Sequence, residues 1–162
     1  MRIDLGTTDN PPEEFDLYVD LVRNRHVPAD KFVLADLRLA WPWKTASVSH
    51  LRAHDLIEHL PDKIHTMNEA WRVLRAGGTF DILVPTTDGA GAWCDPTHVS
   101  YWNRASIDYF LDGAFERDRF ERHYGIRARF RIEREEMRES WVDHPSGRTK
   151  VVHLGILLVA VK

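Results

Sequence analysis

Acidic and small residues recur at the ends of apolar runs, where an open sheet would turn them toward one ligand. Asp4-Leu5-Gly6 closes the first run, Asp20 the second (15–20), Asp36 the third (31–35) and His54-Asp55 the fourth (48–53). A carboxylate can accept hydrogen bonds from both hydroxyls of a ribose, which suits Asp20. Asp36 can accept from an exocyclic amine, and a glycine at position 6 lets a ligand approach the backbone closely. A single aspartate at a strand end is often only a turn residue or a helix cap. Three in succession along one sheet edge point instead to a nucleoside ligand.

A second group lies in residues 85–103, a long stretch rich in turn formers that brings Trp93, Asp95, His98, Tyr101 and Trp102 close together. Long loops in small domains are commonly functional. Histidine titrates near neutral pH, so His98 can serve as a general base, with Asp95 orienting it or holding a substrate hydroxyl. The competing reading makes Asp95 a turn cap before Pro96 and His98 its staple. Asp55, Glu58, His59, Asp95 and His98 can also be gathered as a metal set. The spacing D-x-x-E-H is weak support, since adjacent Glu58 and His59 diverge on a helix. No metal is expected on spacing alone.

The elements that must position these groups follow from periodicity and punctuation. Strands are expected at 2–5, 15–20, 31–35, 48–53 and 79–84. A helix is expected at 62–76, capped by Asp62, ended by Gly77-Gly78 and buried along Ile64, Met67, Trp71 and Leu74. A short helix at 106–111 follows. Two β-rich segments, 126–137 and 150–161, flank the turn-like His144-Pro145-Ser146-Gly147 and form a C-terminal antiparallel hairpin. Residues 150–161 are apolar on both faces, which predicts a strand at or near the centre of a covered sheet. Asp9-Asn10-Pro11-Pro12 must turn. Only residues 7–15 separate Gly6 from Asp16, too few for a crossover with its helix. Either the first two strands are antiparallel or the connecting helix is reduced to a loop. The fold class is α/β: a Rossmann-like, mostly parallel sheet with helices, closed by that hairpin. Trp41 and Trp43, flanking Pro42, read as a lid on the core or as a wall of the nucleoside site.

Three stretches together resemble class I S-adenosylmethionine-dependent methyltransferases. They are the strand-end residues above, Glu58-His59-Leu60-Pro61-Asp62, and the run from Asn68-Glu69-Ala70-Trp71-Arg72-Val73 to Leu74-Arg75-Ala76-Gly77-Gly78. The likeness runs on through Asp95-Pro96-Thr97-His98 and the closing hairpin. It implies S-adenosylmethionine as cofactor, with Asp4 and Gly6 under its methionine part and Asp20 on the ribose. It places Asp36 with the Leu37 backbone at the adenine, and His54 and Asp55 beside the sulfonium. It implies a seven-stranded sheet and methyl transfer to an oxygen or nitrogen of an unknown acceptor. The family's D-x-G-x-G continues here as Asp4-Leu5-Gly6-Thr7-Thr8, so threonine stands at the second glycine, and no helix follows. A sulfonium amino acid needs no phosphate cradle, so binding can survive. The alternative is a catalytically inactive module that keeps the shape and binds a partner through its aromatic loop.

Composition narrows the field further. The 162 residues carry a formal net charge of −3, and the sequence pI is about 6.3, which do not indicate a nucleic-acid partner. Eight arginines fall between Arg117 and Arg138. Interleaved acids make that stretch read as a solvated face. Cys94 is the sole cysteine, so neither an intrachain disulfide nor a multi-cysteine metal site can form. The apolar run 155–161 is far too short to span a bilayer, and no signal peptide is evident. The expectation is one methyltransferase-like domain over 1–162, cytoplasmic, without a membrane partner.

Overall fold

The computed structural model describes residues 1–7, 11–145 and 147–162. Thr8, Asp9 and Asn10 therefore lie outside the described residues, as does Ser146 of the hairpin turn. Seven strands form one sheet: β1 (Arg2–Leu5), β2 (Leu17–Asp20), β3 (Phe32–Leu34), β4 (Val48–His54), β5 (Leu74–Pro85), β6 (Phe130–His144) and β7 (Gly147–Ala160). Their order is β3-β2-β1-β4-β5-β7-β6. The first five are mutually parallel, and β7 runs antiparallel to both β5 and β6. The short link after Gly6 thus joins parallel strands, and among its described residues there is no helix.

Helices α1 (Lys63–Val73), α2 (Gly91–Cys94), α3 (Arg104–Asp108) and α4 (Phe115–Tyr124) all follow β4. Side chains of α1, α3 and the segment after α4 share one core with alternate strand residues: Met67, Ala70, Ile107 and Ile126 meet Leu51, Phe80, Ile82 and Leu158. The other sheet face is polar along β4. His50, Arg52 and His54 alternate with buried Leu51 and Ala53 along β4. Purely parallel sheets are normally covered on both faces and read as continuous apolar runs. Here alternation in β4 marks a parallel region whose second face is covered only locally, by Phe15, Tyr18 and Val27 beside β2 and β3. β7 lies inside the sheet as expected, but only its Leu154, Ile156 and Leu158 side meets the core, while His153, Gly155 and Leu157 are half-buried on the polar side.

Several local expectations shift. Asp62 does cap α1, accepting the His65 N–H at 2.8 Å. The helix ends at Val73 rather than residue 76, because Leu74 is already extended and pairs with Val48. Gly77 then takes φ +70 where the chain steps into the Thr79–His50 register. Trp71 is half-buried rather than core; its Nε1–H donates to the Val161 carbonyl at 2.7 Å. The α4 helix went unforeseen, and Arg117 on it is buried rather than solvated, paired with Glu121 at 2.7 Å. Trp41 is core, its Nε1–H on the Leu37 carbonyl at 3.0 Å.

One polar network anchors the segment behind the nucleoside edge. Glu69 accepts the Trp41 N–H at 2.8 Å and the Arg72 guanidinium at 2.7 Å, while Arg72 reaches the Trp41 and Trp43 carbonyls. Glu69→Ala would leave a buried amide and a guanidinium without their partner, at a cost of about 2–3 kcal/mol read by denaturant unfolding. The Arg72 hydrogen bonds, aided by the Trp41 N–H, hold the Glu69 carboxyl below its usual 4.5. A depressed native value means the unfolded chain binds the proton first. The stabilisation is therefore full above about pH 4.5 and is lost as pH falls below it. Asp36, Asp81 and Asp95 are depressed as well. The fall in Tm between about pH 4.5 and 3 should accordingly be shallower in Glu69→Ala, not absent.

Candidate functional site

A cavity of about 410 Å³ opens at the carboxyl ends of β1, β2, β3 and β4. Ligands of open α/β sheets sit at such an edge. Its walls include Gly6, Asp20, Asp36, Leu37, Asp55 and His59, so five of the sequence-expected cofactor residues converge there. Gly6 has φ +70, and a Cβ on it would lie 2.8 Å from Leu56 Cδ1. Only glycine leaves this corner both unstrained and open. Asp20 accepts the Val22 N–H on Oδ1 at 3.2 Å. Asp55 adopts φ +50, a conformation that aspartate tolerates better than most residues, and its N–H donates to Leu83 at 2.9 Å. That bend starts the 3-10 turn Ile57–His59, which aims His59 at the cavity.

Two expected cofactor residues stand elsewhere. Asp4 is fully buried beneath the polar sheet face, its Oδ1 2.6 Å from Arg52 Nη1, and it does not line the cavity. His54 points to the same face, with Nε2 3.5 Å from Asp81. Asp36 reaches the cavity already engaged: Arg38 grips both its oxygens at 2.7–3.1 Å and pulls its carboxyl down to about 2. Arg38 and Leu56 are cavity residues that sequence reasoning missed. The Asp36-x-Arg38 spacing was the available signal for Arg38.

Beside the cavity lies a compact polar cluster. The His59 and His98 rings meet edge to face with centroids 4.9 Å apart. Glu58 is 2% exposed, and its Oε2 has no hydrogen-bond partner. Burial, reinforced by Asp55 and Asp95, pushes its carboxyl up to about 7. His98 Nδ1 sits 3.1 Å from the Ala92 carbonyl, and His59 Nδ1 sits 3.2 Å from the Thr97 carbonyl. Asp95 accepts the Thr97 N–H and hydroxyl at 2.8 and 2.6 Å, which is the turn-cap arrangement, and its other oxygen is 4.0 Å from His98 Nε2. Neither Asp95 nor His98 lines the cavity.

The family model of the methyltransferase domain matches residues 11–82, from the approach to β2 through most of β5. No curated protein matches the chain in sequence. Solved structures share its fold. An S-adenosylmethionine-dependent methyltransferase of Methanosarcina mazei aligns over 98% of this chain and 91% of its own, at 12% identity and TM-score 0.55. YcgJ of Bacillus subtilis aligns over 99% and 91%, at 10% identity and TM-score 0.64. A Haemonchus contortus N-methyltransferase, bound to phosphomonomethylethanolamine and S-adenosylhomocysteine, aligns over 99% of this chain and 48% of its own, at 12% identity and TM-score 0.61. The resemblance to class I S-adenosylmethionine-dependent methyltransferases is borne out by both the matched segment and the sheet. Among the described residues no helix is long and apolar enough to cross a membrane.

Proposed function

We propose that this protein transfers a methyl group from S-adenosylmethionine to an oxygen or nitrogen of its acceptor. The observation that carries the reading is the cavity, which brings Gly6, Asp20, Asp36 and Leu37 together at successive strand ends of a methyltransferase fold. Asp20 takes the ribose hydroxyls, Asp36 with the Leu37 backbone takes the adenine, and Gly6 and Asp55 flank the amino-acid part. The acceptor lone pair attacks the methyl carbon, the carbon–sulfur bond breaks, and its electron pair stays on sulfur as S-adenosylhomocysteine. Holding three atoms in line is mainly a proximity effect.

The acceptor must also lose a proton. We assign that proton to the His59–His98 pair, of which His59 lines the cavity. Each ring turns Nδ1 to a carbonyl, which can only accept, so each Nε2 remains free as a base. Asp95 fixes the loop that carries His98. A second reading, a non-catalytic module, draws on Asp36 being already satisfied by Arg38.

S-adenosylhomocysteine separates the two. A ligand that binds only the native state raises Tm by mass action. At a concentration of 100 times Kd the gain is about 2.7 kcal/mol, a shift of several degrees for a chain of this size. Asp20→Ala should remove most of the shift. No shift at millimolar ligand defeats the methyltransferase reading and leaves the module.

A further inference from the structure

We propose that Glu58, His59 and His98 form a binding site for one divalent transition-metal ion at the side of the cofactor cavity. One ligand atom from each residue lies within 4.8 Å of the other two. Nitrogen and carboxylate oxygen bind zinc at about 2.0–2.2 Å, which sets ligands on one ion roughly 3–3.5 Å apart. Small side-chain rotations close that difference.

Three features prepare the cluster for a cation. The Glu58 carboxylate is buried, and its Oε2 has no partner, a costly arrangement that a bound cation relieves. The charged groups acting on it, Asp55 and Asp95, are themselves anionic, so the local field favours a positive ion. Both histidines are oriented as metal-binding histidines are, with Nδ1–H on a backbone carbonyl and Nε2 left as the donor. The Thr97 hydroxyl also lies 3.1 Å from His59 Nδ1, but its own proton goes to Asp95, so it too can only accept there.

Two imidazoles and one carboxylate suit zinc, manganese or ferrous iron, and leave coordination positions open. Calcium and magnesium prefer all-oxygen sets. His59 lines the cavity, so an ion held by it would stand at the cavity wall. An acceptor hydroxyl held there loses its proton to solvent more readily and attacks the methyl as the oxyanion. This role rests on the methyl-transfer reading and applies to the metal-loaded protein, whereas in the metal-free protein the same Nε2 atoms stay free as bases; the site itself does not depend on that reading.

The test uses the full chain freed of metal by chelation. Zn²⁺ and Mn²⁺ are titrated by calorimetry, and Co²⁺ is followed by its visible absorption. One equivalent should bind with micromolar or tighter affinity for at least one ion. Glu58→Gln and His98→Gln should each weaken it at least about tenfold, whereas His123→Asn, remote on α4, should not. Thermal melts confirm that each variant is folded, and the Co²⁺ spectrum should lose intensity in both ligand variants. Absence of binding, or binding unchanged in folded Glu58→Gln and His98→Gln, overturns the site. The S-adenosylhomocysteine Tm shift is read on the same samples. A shift without metal binding sinks only the metal site, and metal binding without a shift sinks only the methyl-transfer reading.

Discussion

Ending the chain at Lys150 should abolish cooperative folding. The deleted segment is most of β7, which lies between β5 and β6. Val152, Leu154, Ile156, Leu158 and Val159 are each at most 5% exposed. Fully burying one such side chain contributes about 1.5–3 kcal/mol, so the five together supply roughly 7–15 kcal/mol. Whole domains are stable by only about 5–15 kcal/mol. The loss also strands most of β6, ten of whose fourteen pairings with β7 are to the deleted residues. Far-UV circular dichroism of the truncated chain should show no sigmoidal melt; a soluble product melting cooperatively would contradict the sheet order.

His98→Ala should lower the methyl-transfer rate by about 10²–10⁴-fold, the usual contribution of a general base. S-adenosylhomocysteine affinity should stay nearly constant, because His98 does not line the cavity. Asp95→Asn should cost less, since Asp95 contacts Thr97 and lies 4.0 Å from the His98 ring. Stopped assays per folded molecule, alongside melts, separate chemistry from packing. A lower Tm with an intact rate per folded molecule would make His98 a loop staple and nothing more.

Much of the fold was legible because it rests on local signals. Gly6, the Asp62 cap and the apolar run of β7 each have a local physical reason that neighbouring residues reveal. The ends of α1 were less so: Arg75 and Ala76 are good helix residues, and pairing of Leu74 with Val48 overrides them. The polar face of the sheet was written in the Ser49-His50-Leu51-Arg52-Ala53-His54 alternation, yet it only gains meaning once β4 is known to lie beside β1 and β5. The candidate site divided along the same line. Strand-end positions found Asp20, Asp36 and Asp55. Which way Asp4 and His54 face depends on strand register, and a one-residue change of face moves a side chain across the sheet. Glu58, His59 and His98 were among the residues gathered by type alone, but what brings them together is a contact across some forty residues, made when the Val99 and Ser100 amides close onto the Glu58 carbonyl at 2.9 Å.

The central claim is that the cavity at the ends of β1, β2 and β3 holds S-adenosylmethionine, and a crystal structure with S-adenosylhomocysteine tests it most directly. The ribose hydroxyls should bond to Asp20, the adenine should lie against Leu37 with its amine at Asp36, and the sulfur should face the His59 side. Ligand bound elsewhere, or a cavity left empty at saturating concentration, would contradict the account.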